Sequence, residues 1–407
     1  MAEKSKRMLD GYRVLDFTQV LAGPTTSRYL AELGAEVIKV EFAPAGDISR
    51  GVPYLRDGRS AYYVQQNRGK KSICLDLKNP SAAAIIRDLI ARVDVVVENF
   101  APGVIQRLGF DYASVRKINP KIVMCSISTF GQAGPLANRP GYDFIGCAYS
   151  GVLSMIGEAD RPPSLPQVGV GDISTGVHAF SGILAALLHR ERTGEGQYIE
   201  TSLLDCYFSY NDMTVHTASL SRGAISPHRN GAHHFAVAPL GVFRGKRSSI
   251  LIMAGTEHQF VYLCRAMGQP ELATDPRFNC NSERMAHVEE LINLIQEWFD
   301  AMPSDEEIYR RFEEHRVPYA PVLTIEQAIA HPHLREREVV RTVNDRFLGE
   351  FDLPGFPLRF SEFPRHQPMQ APTLGEDNET VLHELLGYSP ERIAALEADG
   401  VLRRGPR

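Results

Sequence analysis

Strand and helix signals alternate from the start of this chain, and that alternation limits the folds open to it more than any other feature. Residues 12–17 read as a strand, 24–33 as a helix ending at Gly34, and 36–40 as a second strand, which together make a βαβ unit. A helix over 81–91, a strand over 94–97, a helix over 104–108 and a strand over 122–127 repeat the pattern. A long helix over 173–192 then leads, through the turn at Gly194 and Gly196, to a strand over 198–202. Parallel strands need crossovers, and crossover helices cover both sheet faces, so the pattern predicts an α/β fold with a buried parallel sheet.

The pattern changes near residue 221. Residues 221–239 are rich in Gly, His, Pro and Ala and suit a linker or substrate loop. Beyond them lie a strand over 250–254 and amphipathic helices over 257–267, 286–302 and 305–315, which suggest a smaller α+β domain. From 332 the chain is mixed again and closes on two short helices, the second bounded by Ser389-Pro390 and Gly400. The expected organisation is a large Rossmann-like domain from both chain ends (1–220 and 332–407), with 221–331 forming the linker and small domain.

The net charge is −5, with Lys and Arg scattered and not gathered into a stripe, so no nucleic-acid partner is expected. The basic cluster Lys4, Lys6 and Arg7 leads into no apolar core. Apolar stretches such as 179–188 fall short of the ~18 residues that span a bilayer, so no membrane partner is expected either. The cysteines Cys74, Cys125, Cys147, Cys206, Cys264 and Cys280 form no CxxC pair or Cys/His ligand spacing. Reduced, mostly buried thiols in a cytoplasmic protein are expected.

One carboxylate stands out. Asp172 follows Gly169 and Gly171 and precedes the apolar series Val177, Phe180, Ile183, Leu184, Leu187, so it sits where a tight turn feeds a helix. Such an Asp can be a plain N-cap. It can also be a nucleophile, with glycines that leave room for a substrate and unpaired helix-start amides that hold developing charge. His228, His233 and His234 sit together in a loop, but neighbouring loop histidines diverge and no third ligand type stands at suitable spacing, so no metal is expected.

Several ordered motifs accompany Asp172: Val14-Leu-Asp-Phe, Ala22-Gly-Pro24, Leu33-Gly-Ala-Glu-Val-Ile-Lys-Val-Glu41, Lys70-Lys-Ser-Ile, Leu75-Asp-Leu-Lys78, Val97-Glu-Asn-Phe-Ala-Pro-Gly103 and Gly141-Tyr-Asp143. In these the chain resembles the class III CoA-transferases of the CaiB/BaiF type, from about Leu9 to the C-terminus. The resemblance implies transfer of CoA between carboxylic acids, with Asp172 as the covalent residue, ionised at rest. No permanently bound cofactor is implied, coenzyme A entering as acyl-CoA substrate. It places CoA contacts at Leu21, Ala22, Leu75, Lys78, Asn99, Phe100 and Arg107, and the thioester near Arg139 and Tyr142. It further implies an intertwined homodimer, and acyl-CoA and small carboxylic acids as partners. Phe42 departs from the formyl-CoA type, which carries an arginine there, and the 221–239 loop lacks that type's glycine run. Small dicarboxylates, with succinyl-CoA as donor, are therefore the expected substrates. Two alternatives share the fold: an α-methylacyl-CoA racemase, whose histidine base is replaced here by Tyr142, and a non-catalytic CoA-binding protein, which would have no use for Asp172.

Overall fold

In the computed structural model, which describes residues 7–363 and 368–405, six strands pair in parallel. Lys4 and Lys6 lie outside the described residues. The strands are β1 (Arg13–Asp16), β2 (Glu36–Phe42), β3 (Lys70–Leu75), β4 (Val95–Glu98), β5 (Val123–Ser128) and β6 (Gln197–Ser202). Their order across the sheet is β3-β2-β1-β4-β5-β6. This is the doubly wound Rossmann arrangement, in which the chain works outward from β1 in one direction and from β4 in the other.

Side chains alternate between two buried faces, as strands covered on both sides require. Leu15, Ile38, Val96 and Met124 point to one face, covered by α2 (Pro80–Ile90) and by Ile105 of α3 (Val104–Arg107). Val14, Val37, Val95, Val97, Val123 and Cys125 point to the other, under α1 (Ala22–Glu32) and α5 (Val170–Thr193). Between α3 and α5 lies α4 (Asp143–Tyr149), and after β6 comes α6 (Leu203–Ser209). Each fully buried Val, Ile or Leu contributes about 1.5–3 kcal/mol to this packing.

Four local differences from the sequence reading have physical reasons. Helix α1 begins at Ala22, ahead of Pro24, because a proline in the first turn sacrifices no intrahelical hydrogen bond. Strand β3, to which the sequence reading assigns no element, starts with a lysine that is buried and paired with Asp16. Helix α5 is long and apolar enough, by length and composition alone, to cross a membrane, whereas the apolar stretches read as too short. Its Ala179, Phe180, Ile183, Ala186 and Leu187 are buried in the sheet-facing core with Tyr29 and Leu30, which accounts for that apolarity. The helix expected over 286–302 is Val288–Ala301, and a short helix that the sequence reading lacks, Asn281–Ala286, precedes it, the two broken at His287 (φ −117°, ψ 31°).

Contacts divide the chain into two compact units: Met1–Ser150 with Gln167–Tyr210 and Pro332–Arg407, and Gly151–Pro166 with Asn211–His331. The second has its own antiparallel sheet of β7 (Leu240–Arg244), β8 (Ser249–Met253) and β9 (Tyr319–Pro321), with β8 in the centre. Helices α7 (Glu257–Met267), α8 (Val288–Ala301) and α9 (Asp305–His315) close its core around Phe243, Ile252, Phe260, Trp298, Phe299 and Phe312.

Candidate active site

In a doubly wound sheet the ligand crevice opens outside the carboxyl ends of the two strands where the winding reverses. Here those strands are β1 and β4, and a cleft of about 340 Å³ lies at the loops that follow them. Seven of the residues expected to hold substrate line it: Leu21, Ala22, Asn99, Phe100, Arg139, Tyr142 and Asp172.

The β1 loop is held by side chains bonded to its backbone. Thr18 N–H donates to Asp16 (2.8 Å), and the Lys39 ammonium donates to Thr18 O (2.6 Å). Gln19 and Asn99 exchange two hydrogen bonds, and Val20 N–H donates to Asp47 Oδ1 (3.2 Å). Val20 adopts φ +67°, a conformation that costs a β-branched residue of order 1–3 kcal/mol and persists only where neighbours impose it. Beneath the loop, Lys39 pairs with Asp47 at 2.8 Å and Lys70 with Asp16 at 3.0 Å, all four side chains shielded from water. Burial alone would raise the Asp47 carboxyl, but Lys39 and Ser49 outweigh it and hold it down to about 2. Burial, only partly offset by Asp16, lowers the Lys70 ammonium to about 8.

Asp172 lies three positions further into its helix than the sequence suggests. Gly169 is the N-cap of α5, so Asp172 is the third helical residue, partly exposed at the cleft wall. The glycines do not form an open turn. A Cβ on Gly169 would stand 2.7 Å from Leu21 Cδ2, and one on Gly171 would stand 2.0 Å from Tyr207 and 2.3 Å from Asp143, so they make room for the protein's own side chains rather than a substrate's. Three of the helix-start amides are already engaged: Val170 N–H donates to Val168 O, Gly171 N–H to the Tyr207 hydroxyl, and Ile173 N–H to Gly169 O. Further along, Gly176 lets α5 touch α1, where a Cβ would meet Ala22 O at 2.5 Å, and this contact fixes Asp172 beside Leu21 and Ala22.

The expected resting ionisation of Asp172 needs correction. Burial first, and the neighbouring Asp143 second, push its carboxyl up to about 7, so it is about half protonated at neutral pH.

The other expected residues divide. Asn99 lines the cleft, but its amide is bonded to Gln19. Phe100 stacks on Phe42 (centroids 5.8 Å, interplanar 20°), so the residue that departs from the formyl-CoA type becomes part of an aromatic wall. Arg139 is oriented by Tyr149, whose hydroxyl accepts from its guanidinium at 2.5 Å, and Tyr142 is 78% exposed at the mouth. Leu75, Lys78 and Arg107 are not among the residues lining the cleft. Leu75 is fully buried in the core, Lys78 is exposed after β3, and Arg107 is exposed with its guanidinium beside Gly103. In the second unit, His233 packs on Phe243 and His234 Nδ1 accepts from Ala236 N–H.

Sequence reasoning missed three groups. Glu98, at the end of β4, is pushed up to about 7 by burial and accepts Phe100 N–H at 2.8 Å. Tyr62 is raised to about 12 by burial and by Asp172. Asp143 and Tyr207 join behind Asp172 through a 2.5 Å hydrogen bond. Asp143 and Glu98 each carried a signal, as part of a motif; Tyr62 and Tyr207 carried none.

A family model described as CoA-transferase family III matches residues 9–378. The chain is 34% identical to succinyl-CoA:glutarate CoA-transferase of Mus musculus over 98% of its own length and 91% of that protein. It is 35% identical to formyl-CoA:oxalate CoA-transferase of Streptomyces coelicolor, covering 97% of this chain and 99% of that one. Among solved structures, a CaiB/BaiF family protein from Brucella suis superposes with a TM-score of 0.81 at 33% identity, covering 94% of this chain and 100% of that one.

Proposed function

Because this chain belongs to CoA-transferase family III, and is therefore an enzyme that uses CoA thioesters, we propose that it moves CoA from succinyl-CoA to a small carboxylic or dicarboxylic acid through Asp172. In the first step a carboxylate oxygen of Asp172 attacks the thioester carbonyl. The C–S bond breaks, and CoA thiolate leaves a mixed anhydride. The thiolate then attacks the Asp172 carbonyl, releasing the donor acid and leaving an aspartyl-CoA thioester. The acceptor carboxylate opens that thioester to a second anhydride, and the returning thiolate takes the acceptor acyl group and frees Asp172. Every bond broken is matched by one formed, and no redox change occurs.

The observation that carries this reading is the position of Asp172: a partly exposed carboxylate on the wall of the switch-point cleft, with Arg139 and Tyr142 on the same lining. Succinyl-CoA as donor is supported by the relatives named for succinyl-CoA and glutarate, in mouse and in Agrobacterium fabrum. Phe42 and Phe100 supply an apolar face suited to the non-acyl part of CoA, with Arg107 at the end of α3, the helix after Phe100, for a phosphate. A homodimer, intertwined as the resemblance implies, is part of the proposal. It is supported by the exposed apolar stripe Val170, Ile173, Val177 and Leu188 on α5, which a second copy would cover. A cytoplasmic location is supported by six free thiols, five of them buried.

The test is covalent trapping. Hydroxylamine added during turnover should modify the peptide containing Asp172 and no other, and Asp172→Asn should abolish both modification and transfer. More than a tenth of native activity in Asp172→Asn would rule the mechanism out. Acyl-CoA donors set against C2 to C6 acids, with products read by mass spectrometry, identify the substrate pair.

A further inference from the structure

Behind Asp172 lies a buried carboxylate that the transfer steps leave unused. Asp143, in the first turn of α4, is 7% exposed. Its Oδ1 accepts the Tyr207 hydroxyl at 2.5 Å, while its Oδ2 is buried without a hydrogen-bond partner. Burying a carboxylate on a single neutral donor is unfavourable by several kcal/mol, and an apolar residue or an amide would fill the same space at less cost. Its place in the fold offers a reason. The Tyr207 hydroxyl that donates to Asp143 also accepts Gly171 N–H at 3.0 Å, so a chain of two hydrogen bonds runs from Asp143 to the peptide just before Asp172.

We propose that Asp143 and Tyr207 are positioning residues for CoA transfer: Tyr207 fixes the backbone that presents Asp172, and Asp143 keeps an uncompensated negative charge close behind it. This inference rests on the reading of Asp172 as nucleophile and adds how that nucleophile is tuned. The charge acts on the equilibrium between free and acylated enzyme. A free Asp172 carboxylate is repelled by Asp143, whereas the anhydride and the CoA thioester are neutral at that position and are not. Asp143 therefore favours the covalent intermediates over the resting carboxylate, and it makes Asp172 the more basic attacking group. The groups facing Asp172 agree with this division of roles. Tyr62, from the helix Ala61–Asn67, and Tyr207, from α6, are both neutral phenols near neutral pH, and after burial it is Asp143 that raises the Asp172 carboxyl.

The experiment compares Asp143→Asn, Tyr207→Phe and Asp172→Asn in the full chain, reading kcat and KM for succinyl-CoA across about pH 5.5–8.5. Asp143→Asn keeps an acceptor for Tyr207 and loses only the charge. It should move the acidic limb of kcat/KM down by about one pH unit and lower the plateau kcat about tenfold, with KM within about twofold of native. Tyr207→Phe should lower kcat about tenfold at unchanged KM. A limb within about 0.2 unit of native in Asp143→Asn, or a native kcat in Tyr207→Phe, overturns the inference. Should Asp143→Asn fail to fold, titration of the Asp172 carboxyl in the native protein by carbon-13 NMR carries the test. A midpoint above about 6 is expected, and one near the ordinary ~4 overturns it. An active Asp172→Asn would sink the nucleophile reading itself, whereas an inactive Asp172→Asn beside a native-like Asp143→Asn would sink only the tuning.

Discussion

Gln19 and Asn99 hold the two switch-point loops together by a reciprocal pair of hydrogen bonds: Gln19 N–H donates to Asn99 Oδ1 and Asn99 Nδ2 donates to Gln19 O, each at 2.8 Å. One amide side chain thereby fixes the edge of the cleft on both sides, and its own groups are satisfied before any substrate arrives.

Replacing Asn99 by Ala should therefore cost about 1–3 kcal/mol of stability, because two half-buried backbone groups lose their partner. Asn99→Asp keeps the acceptor and loses the donor, and should fall between Ala and native. Denaturant melts measure the first effect. Steady-state kinetics should show both variants raising KM for every acyl-CoA by a similar factor.

With Asp172 as the proposed nucleophile, its elevated carboxyl predicts the pH dependence of the reaction. Only the ionised form attacks, so kcat/KM should fall about tenfold per unit below about pH 7 and level off above it. A profile that stays flat down to about pH 5.5 would mean that Asp172 is ionised throughout and that its surroundings do not act as described.

The same shift has a stability consequence with a definite sign. The folded-state value, about 7, lies above the ordinary carboxylate value of 3.8, so the native state is penalised progressively as pH rises from about 4 to 7 and by a constant amount beyond. Asp172→Asn removes the charge and should be more stable than native at pH 8 by about 1–2 kcal/mol, after discounting for the solvent that reaches a partly exposed group. At pH 5 the difference should be smaller. Thermal melts at both values decide it.

Arg107→Ala and Phe100→Ala test the proposed CoA contacts. Arg107→Ala should raise KM for every acyl-CoA donor about equally and leave the ranking of acceptor acids unchanged. An effect confined to one acceptor would place Arg107 at the acyl end. Phe100→Ala should raise KM too, and it should also destabilise the fold, since it removes the ring stacked on Phe42.

Proton exchange tests the racemase alternative. Carboxylate attack leaves the α C–H bond of the acyl group untouched, so transfer run in deuterated water should give product without enzyme-dependent α-deuterium. Deuterium entering as fast as CoA moves would make Asp172 a base.

Much of the large sheet was legible because strands buried on both faces announce themselves as apolar runs such as Val95–Val97. Lys70 hid the start of β3, since a lysine reads as solvent-facing until a partner such as Asp16 is seen beside it. Asp172 stood out through its glycines, yet its place in the helix was misread. Gly-Val-Gly has poor helix propensity, and only the close approach of Leu21, Asp143 and Tyr207 explains why the helix runs through it. Tyr207 was invisible to any reading by periodicity, because its role comes from a hydroxyl that meets a residue 36 positions away.

The contact of Gly176 with the Ala22 carbonyl leaves the enzyme with a fixed ruler at its centre. The span between Asp172 and the loop of Leu21 and Ala22 is set there by a glycine held against the Ala22 carbonyl and the Thr25 side chain, with no side chain at 176 to take up slack. A single methyl group at residue 176, far smaller than many tolerated changes, would displace the Asp172 carboxylate directly.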